Sequence, residues 1–206
     1  MLEYTLVAGP NGAGKSSFSH LYAANGSKVH DADKYKVEFK QKYADLNLDD
    51  DALGNYLAGK YEEFEAAELA ANRSMLVETN LRVEYLIDRG RFLRTKGFIL
   101  NMIFIALENS IISKERVDAR IKDHGHAVDA QTIDENFQHG LINMKRNIKL
   151  FDNFMLVTPN LRNIKFDPHI PTPLLRLKGN MVIYREKYDE TWANELVEEL
   201  IQLAKS

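Results

Sequence analysis

Residues Gly9 to Ser16 read GPNGAGKS and follow directly on the apolar run Tyr4-Thr5-Leu6-Val7-Ala8. The stretch fits G-x-x-x-x-G-K-[ST], the phosphate-binding P-loop, in the context that gives the pattern meaning: a strand delivers the chain to the loop and a helix leaves it. Residues 4–8 are β-prone, and Ser16 to Ala24 carries Phe18, Leu21 and Tyr22 at roughly helical spacing. Gly9, Gly12 and Gly14 allow backbone angles closed to residues with a Cβ. Backbone N–H groups can then point inward at an anion. Gly9, Pro10, Asn11, Gly12, Ala13 and Gly14, with Lys15, Ser16 and Ser17 opening the helix, are the expected nucleotide cradle. In such a loop the lysine reaches the β- and γ-phosphates and the Ser16 hydroxyl serves Mg²⁺.

Composition narrows the remaining choices. The 206 residues suit one domain, 45% of them are hydrophobic, and the net charge is −3. That balance gives no reason to expect a polyanion-binding surface, so nucleic acid is an unfavoured partner. The chain has no cysteine, which excludes disulfides, thiol nucleophiles and cysteine-held zinc. The N-terminal apolar stretch is too short for a signal peptide and no segment is long enough to span a membrane. A cytoplasmic location is expected.

Beyond the P-loop, apolar runs alternate with helix-length segments. Strands are expected at 27–31, 75–77, 98–106 and 154–157, with an edge strand at 181–184. Helices are expected at 34–43, 51–73, 83–95, 110–122, 130–149 and 191–204. The run FILNMIFIA at 98–106 reads as a strand covered on both faces. The stripe Ile133, Phe137, Leu141, Met144 and Ile148 reads as core. Residues 159–180 hold four of the five prolines and read as irregular or short hairpin structure. The fold class is therefore α/β, a mostly parallel sheet with helices on both faces, of P-loop NTPase or kinase type. Residues 110–149 are expected as a helical lid over bound phosphates, the alternative being a solvated basic face, and a C-terminal helix is expected at about 190–204.

A P-loop binds a nucleoside triphosphate; phosphoryl transfer also needs a group for the acceptor and cations for the equatorial oxygens. Three places supply these. His30-Asp31-Ala32-Asp33-Lys34 ends the second strand, where ligands of open α/β sheets sit. Either Asp31 or Asp33 faces the γ-phosphate there, or caps the following helix. Glu78-Thr79-Asn80-Leu81-Arg82 follows the third strand, and Glu78 serves Mg²⁺, substrate or the next helix as a cap. Arg116 and Arg120 are four apart and share a helix face, while Ile111, Val117 and Ile121 occupy another. His124-Gly125-His126 has no partner cluster at metal-ligand spacing.

Several segments together resemble the zeta toxin family of P-loop kinases, in particular its shorter, stand-alone bacterial relatives. They are AGPNGAGKSS at 8–17, DADKYK at 31–36, VETNL at 77–81, IALENSIISKERVDARIKDHGHAV at 105–128 and FDN at 151–153. The resemblance covers about three-quarters of the chain. It implies an ATP- and Mg²⁺-dependent kinase acting on a small-molecule acceptor, UDP-N-acetylglucosamine, and a small helical antitoxin as protein partner. It implies Asp33 as general base, Lys15 and Ser16 on ATP and Mg²⁺, and Arg116 and His126 as lid cations on the phosphates, with Arg120 beside them. Glu78, Asn80 and Arg82 fall in the substrate-facing loop. Three positions depart from the pattern: Asn80 replaces a usual threonine, His124 a glycine, and Asn136 a common arginine. The same chemistry on another acceptor (a nucleotide, another sugar or an RNA end) and a nucleotide-dependent ATPase switch are the alternatives.

Overall fold

Among the described residues, five of seven strands run parallel, and their order explains where the site lies. The computed structural model describes residues 1–24, 26–46, 49–122, 128–159 and 170–206. β1 (Glu3–Ala8), β2 (Lys28–Asp31), β3 (Met75–Thr79), β4 (Ile99–Ile105) and β5 (Asn153–Thr158) form the parallel part. β6 (Thr172–Lys178) and β7 (Met181–Arg185) continue it antiparallel, giving the order β2-β3-β1-β4-β5-β6-β7. β1 is central, so the loop that leaves it emerges between the ends of β3 and β4.

Alternation along the strands divides the core in two. Leu6, Ala8, Leu100, Met102 and Phe104 face one side. There they meet α3 (Asp50–Ala70), α4 (Tyr85–Thr95), α6 (Ala130–Asn147) and α7 (Thr191–Lys205) through Tyr61, Ile87, Leu93, Met144, Val197 and Leu200. Val7, Ile103 and Ile105 face the other side, against Phe18 of α1 (Lys15–Phe18) and Ile112 of α5 (Ser110–Lys122). The expected double covering of residues 98–106 is found, as is the α6 stripe, with Ile133, Met144 and Ile148 buried, Leu141 packed against the first core and Phe137 against the second.

Several expectations change. The helix after the P-loop is a single α turn followed by a 3₁₀ turn over Ser19–Leu21. α2 (Ala32–Lys42) starts two residues earlier than expected, because Asp31 caps it. The hairpin alternative for the proline-rich stretch holds at its end, where β6 pairs antiparallel with β7 and buries Leu174, Leu175 and Leu177. Pro173 is tolerated because it sits next to the register shift between Leu156 and Val157, where a missing N–H does least harm. α4 starts at Tyr85, two residues later than expected, and Val83 before it is exposed. α7 buries Ala193, Val197, Leu200, Ile201 and Ala204, with Trp192, Leu196 and Leu203 at the margin of that face. Among the described residues no helix is long and apolar enough to cross a membrane.

Candidate active site

The P-loop is tied down on both sides. Gly9 N–H donates to the Thr79 carbonyl at 3.2 Å, joining the loop to the end of β3. Gly12 adopts φ 72°, and a Cβ there would lie 2.9 Å from Arg116 Cβ and 3.0 Å from the Ser113 carbonyl oxygen. Glycine thus lets α5 close onto the loop. Three side chains seal that approach. Ser113 Oγ donates to the Asn11 carbonyl at 2.6 Å, Arg116 Nε donates to the Gly12 carbonyl at 2.6 Å, and Asn136 Nδ2 of α6 donates to Asn11 Oδ1 at 2.8 Å. Burial pushes the Arg116 guanidinium below its ordinary pKa.

Lys15 and Ser16 open α1, where backbone N–H groups have no partner within the helix. The Lys15 ammonium donates to the carbonyls of Gly9 at 2.9 Å and Pro10 at 3.0 Å, and to Asn80 Oδ1 at 2.6 Å. Burial pushes this amine down to about 8, against the pull of Asp33, Glu78 and Asp31. Ser16 Oγ donates to Glu78 Oε2 at 2.6 Å. Glu78 is buried near the end of β3, in register with Val7 of β1 and Asp31 of β2.

The register brings the β2 end alongside. Asp31 is buried and accepts from the Asp33 N–H at 3.0 Å. Asp33 therefore lies in the first turn of α2, half-exposed, and accepts from Lys36 Nζ at 3.0 Å. Desolvation opposes its ionisation, but Lys36, Lys15 and Arg120 outweigh it and hold the carboxyl below the usual range. Behind it, His30 is buried among Tyr35, Tyr61 and Phe64.

The loop after β3 is held by α6. Leu81 is buried at φ 57°, and its N–H donates to Thr79 Oγ1 at 2.9 Å. Asn143 Nδ2 donates to the carbonyls of Leu81 at 2.9 Å and Arg82 at 3.0 Å. Gly140 lies so close that a Cβ on it would be 2.4 Å from the Asn80 carbonyl oxygen. Arg82 is turned to Glu135 of α6 in a 2.6 Å ion pair.

Lys15, Ser16, Glu78, Asn80 and the P-loop thus share one site, with Arg116 on its wall and Asp33 within electrostatic reach of Lys15. Arg120 is exposed at the end of α5 and acts on Asp33 through its charge. His126 and its glycine turn lie outside the described residues. Sequence reasoning missed Ser113, Asn143 and Gly140, which carry no motif. It noted Asn136 only as a departure, not as the partner of Asn11. A separate cavity of about 220 Å³ opens between α6 and α7, lined by Phe104, Phe137, Leu141, Trp192 and Leu196, and touches the loop only at Pro10.

The two carboxylates and the hydroxyl at these strand ends are hard oxygen donors, suited to Mg²⁺. Among the described residues no group of three or more His, Cys, Asp or Glu side chains is arranged to hold a metal alone.

No protein-family model matches the chain, and no curated protein does. Solved structures do. A chain from the PezAT chromosomal toxin–antitoxin system of Streptococcus pneumoniae is 17% identical, with a TM-score of 0.60 over 100% of this chain and 85% of that one. A chain of the AvrRxo1-ORF1:-ORF2 complex with ATP is 15% identical, with a TM-score of 0.62 over 98% of this chain and 64% of that one. A chain of the Pnkp1/Rnl/Hen1 RNA repair complex is 15% identical, with a TM-score of 0.56 over 70% of this chain and 46% of that one. The resemblance to zeta-toxin P-loop kinases holds at the level of fold.

Proposed function

We propose that the chain is an ATP-dependent phosphotransferase that moves the γ-phosphoryl group to a hydroxyl of a small-molecule acceptor. The observation that carries this reading is the meeting, at the ends of β1, β2 and β3, of Lys15, the Ser16–Glu78 pair and Asp33. Each has a role that phosphoryl transfer requires. The P-loop N–H groups and Lys15 hold the phosphates. Ser16, with Glu78 behind it, would hold Mg²⁺, which when bound neutralises charge on the β- and γ-phosphate oxygens. Asp33, ionised at neutral pH, accepts the proton of the acceptor hydroxyl as that oxygen bonds to phosphorus and the bond to ADP breaks. Arg116 stabilises charge developing on the transferred group, aided by Arg120 and His126.

The resemblance makes Asn80 and Arg82 acceptor-facing residues; Asn80 reaches Lys15, and Arg82 would have to leave Glu135 to meet an acceptor. The sequence resemblance makes UDP-N-acetylglucosamine the first acceptor to try and a small helical antitoxin the first protein partner to seek. The solved structure from the PezAT toxin–antitoxin system, a relative in fold, supports the search for such a protein partner. The deciding experiment incubates the protein with ATP, Mg²⁺ and a panel of sugar nucleotides, nucleosides, sugars and RNA ends. Mass spectrometry should find one phosphate gained on a single class. ATP hydrolysis with no phosphorylated product in any pool would favour the ATPase switch instead.

A further inference from the structure

An ammonium group has three N–H donors, and Lys15 has three acceptors: the Gly9 and Pro10 carbonyls and Asn80 Oδ1. Two of these belong to the P-loop backbone. The Pro10 carbonyl also accepts from the Ala13 N–H at 3.2 Å, so it cannot turn without opening the loop. The third belongs to a side chain from another segment, and it makes the shortest of the three contacts. The backbone beneath that side chain is fixed. The Asn80 carbonyl abuts Gly140, and Asn143 holds the next two carbonyls. Asn80 can release Lys15 by rotating its side chain alone.

A phosphate oxygen that takes a hydrogen bond from Lys15 must displace one acceptor. A charged oxygen outcompetes a neutral amide, and the acceptor displaced at least cost is the one that can swing to water. We infer that Asn80 is a positioning residue acting through Lys15: it is an internal competitor for the phosphates of a nucleoside di- or triphosphate, parking the lysine until nucleotide displaces it. The inference rests on the P-loop reading of the proposed function. Asp33, Glu78 and Asp31 also attract Lys15, but through charge; Asn80 alone among these four accepts a hydrogen bond from it among the described residues.

The test is calorimetric titration of Mg-ADP into the wild type, Asn80→Ala and Asn80→Ser at pH 7, with thermal melts of each to identify the folded variants. Serine covers the case in which alanine loosens the loop. The expected result is tighter Mg-ADP binding in both folded variants, by about 2- to 10-fold, the equilibrium worth of one net hydrogen bond. A side chain that touched the nucleotide, or only braced the loop, would weaken binding when removed. Unchanged or weaker binding in a folded variant overturns the inference and leaves the P-loop reading standing. A wild-type protein that does not bind Mg-ADP overturns the P-loop reading itself.

Discussion

The Asp31 carboxylate accepts from the backbone N–H of Asp33 at 3.0 Å, while the Asp33 carboxylate faces Lys36 at 3.0 Å. Two aspartates that look equivalent in sequence therefore do different work. Asp31 starts the helix. Asp33 is lifted onto its first turn with its charge available.

This separation predicts a stability effect at Asp31. Asp31→Ala should lose about 1 kcal/mol, within the ~0.5–2 kcal/mol range for an N-cap, while Asp31→Asn should stay near wild type, since Asn caps as well as Asp. Urea unfolding measures both. An equal loss in the two variants would mean that the charge of Asp31, not its cap, matters to the fold.

Ser16 and Glu78 form a pair poised for a divalent cation. Glu78→Gln keeps the shape and the hydrogen-bond acceptor but removes the charge. It should raise the Mg²⁺ concentration needed for half-maximal turnover by about 10- to 100-fold, the usual effect of losing a partner behind a metal ligand. Ser16→Ala should shift the same titration in the same direction. A metal dependence untouched by both changes removes this role.

Lys15 predicts a pH dependence. Its amine is held down to about 8, and bound phosphates would raise it again. Below about 8 the lysine is charged with or without nucleotide, so affinity is level there with respect to this group. Above it the free protein loses the proton while the complex keeps it. Mg-ADP affinity should therefore fall as pH rises through 8 towards 10, with uptake of up to one proton on binding. Calorimetry in buffers of different ionisation enthalpy reads that uptake, and Lys15→Ala should abolish it. Proton release on binding would contradict the assignment.

Much of this was legible in sequence because the signals were local. The P-loop needs only its own eight residues and the strand before it, and the mostly parallel sheet follows from β/α alternation. The pairing of Asn136 with Asn11 spans 125 residues, and that of Asn143 with the Leu81 carbonyl 62; no local pattern marks either. The prolines left irregular and hairpin structure as alternatives at 159–180, and the cost of Pro173 vanishes at a register shift. The sequence left Asp31 and Asp33 interchangeable on spacing alone, since only the observed start of α2 at Ala32 separates cap from first turn.

Gly140 is the α6 residue pressed on the acceptor loop. Gly140→Ala gains up to about 1 kcal/mol of helix propensity, but its Cβ would meet the Asn80 carbonyl at 2.4 Å. Overpacking of this kind costs about 1–3 kcal/mol, and the obstacle is backbone, so the clash should win. Thermal unfolding should show net destabilisation, and the loop carrying Asn80 should shift. A stabilised variant would mean that α6 is not clamped to the loop.

The central claim is that Asp33 takes the acceptor's proton. Asp33→Asn preserves size and hydrogen bonding and leaves Asp31 capping the helix, so the fold should be intact. The measurement is the rate of acceptor phosphorylation in Asp33→Asn against wild type at saturating ATP, with nucleotide affinity measured in parallel. Unchanged stability, near-normal ATP binding and a rate lower by about 10²–10⁴-fold, the usual worth of a positioned base, are expected. Full activity on the true acceptor in that variant would contradict that role of Asp33.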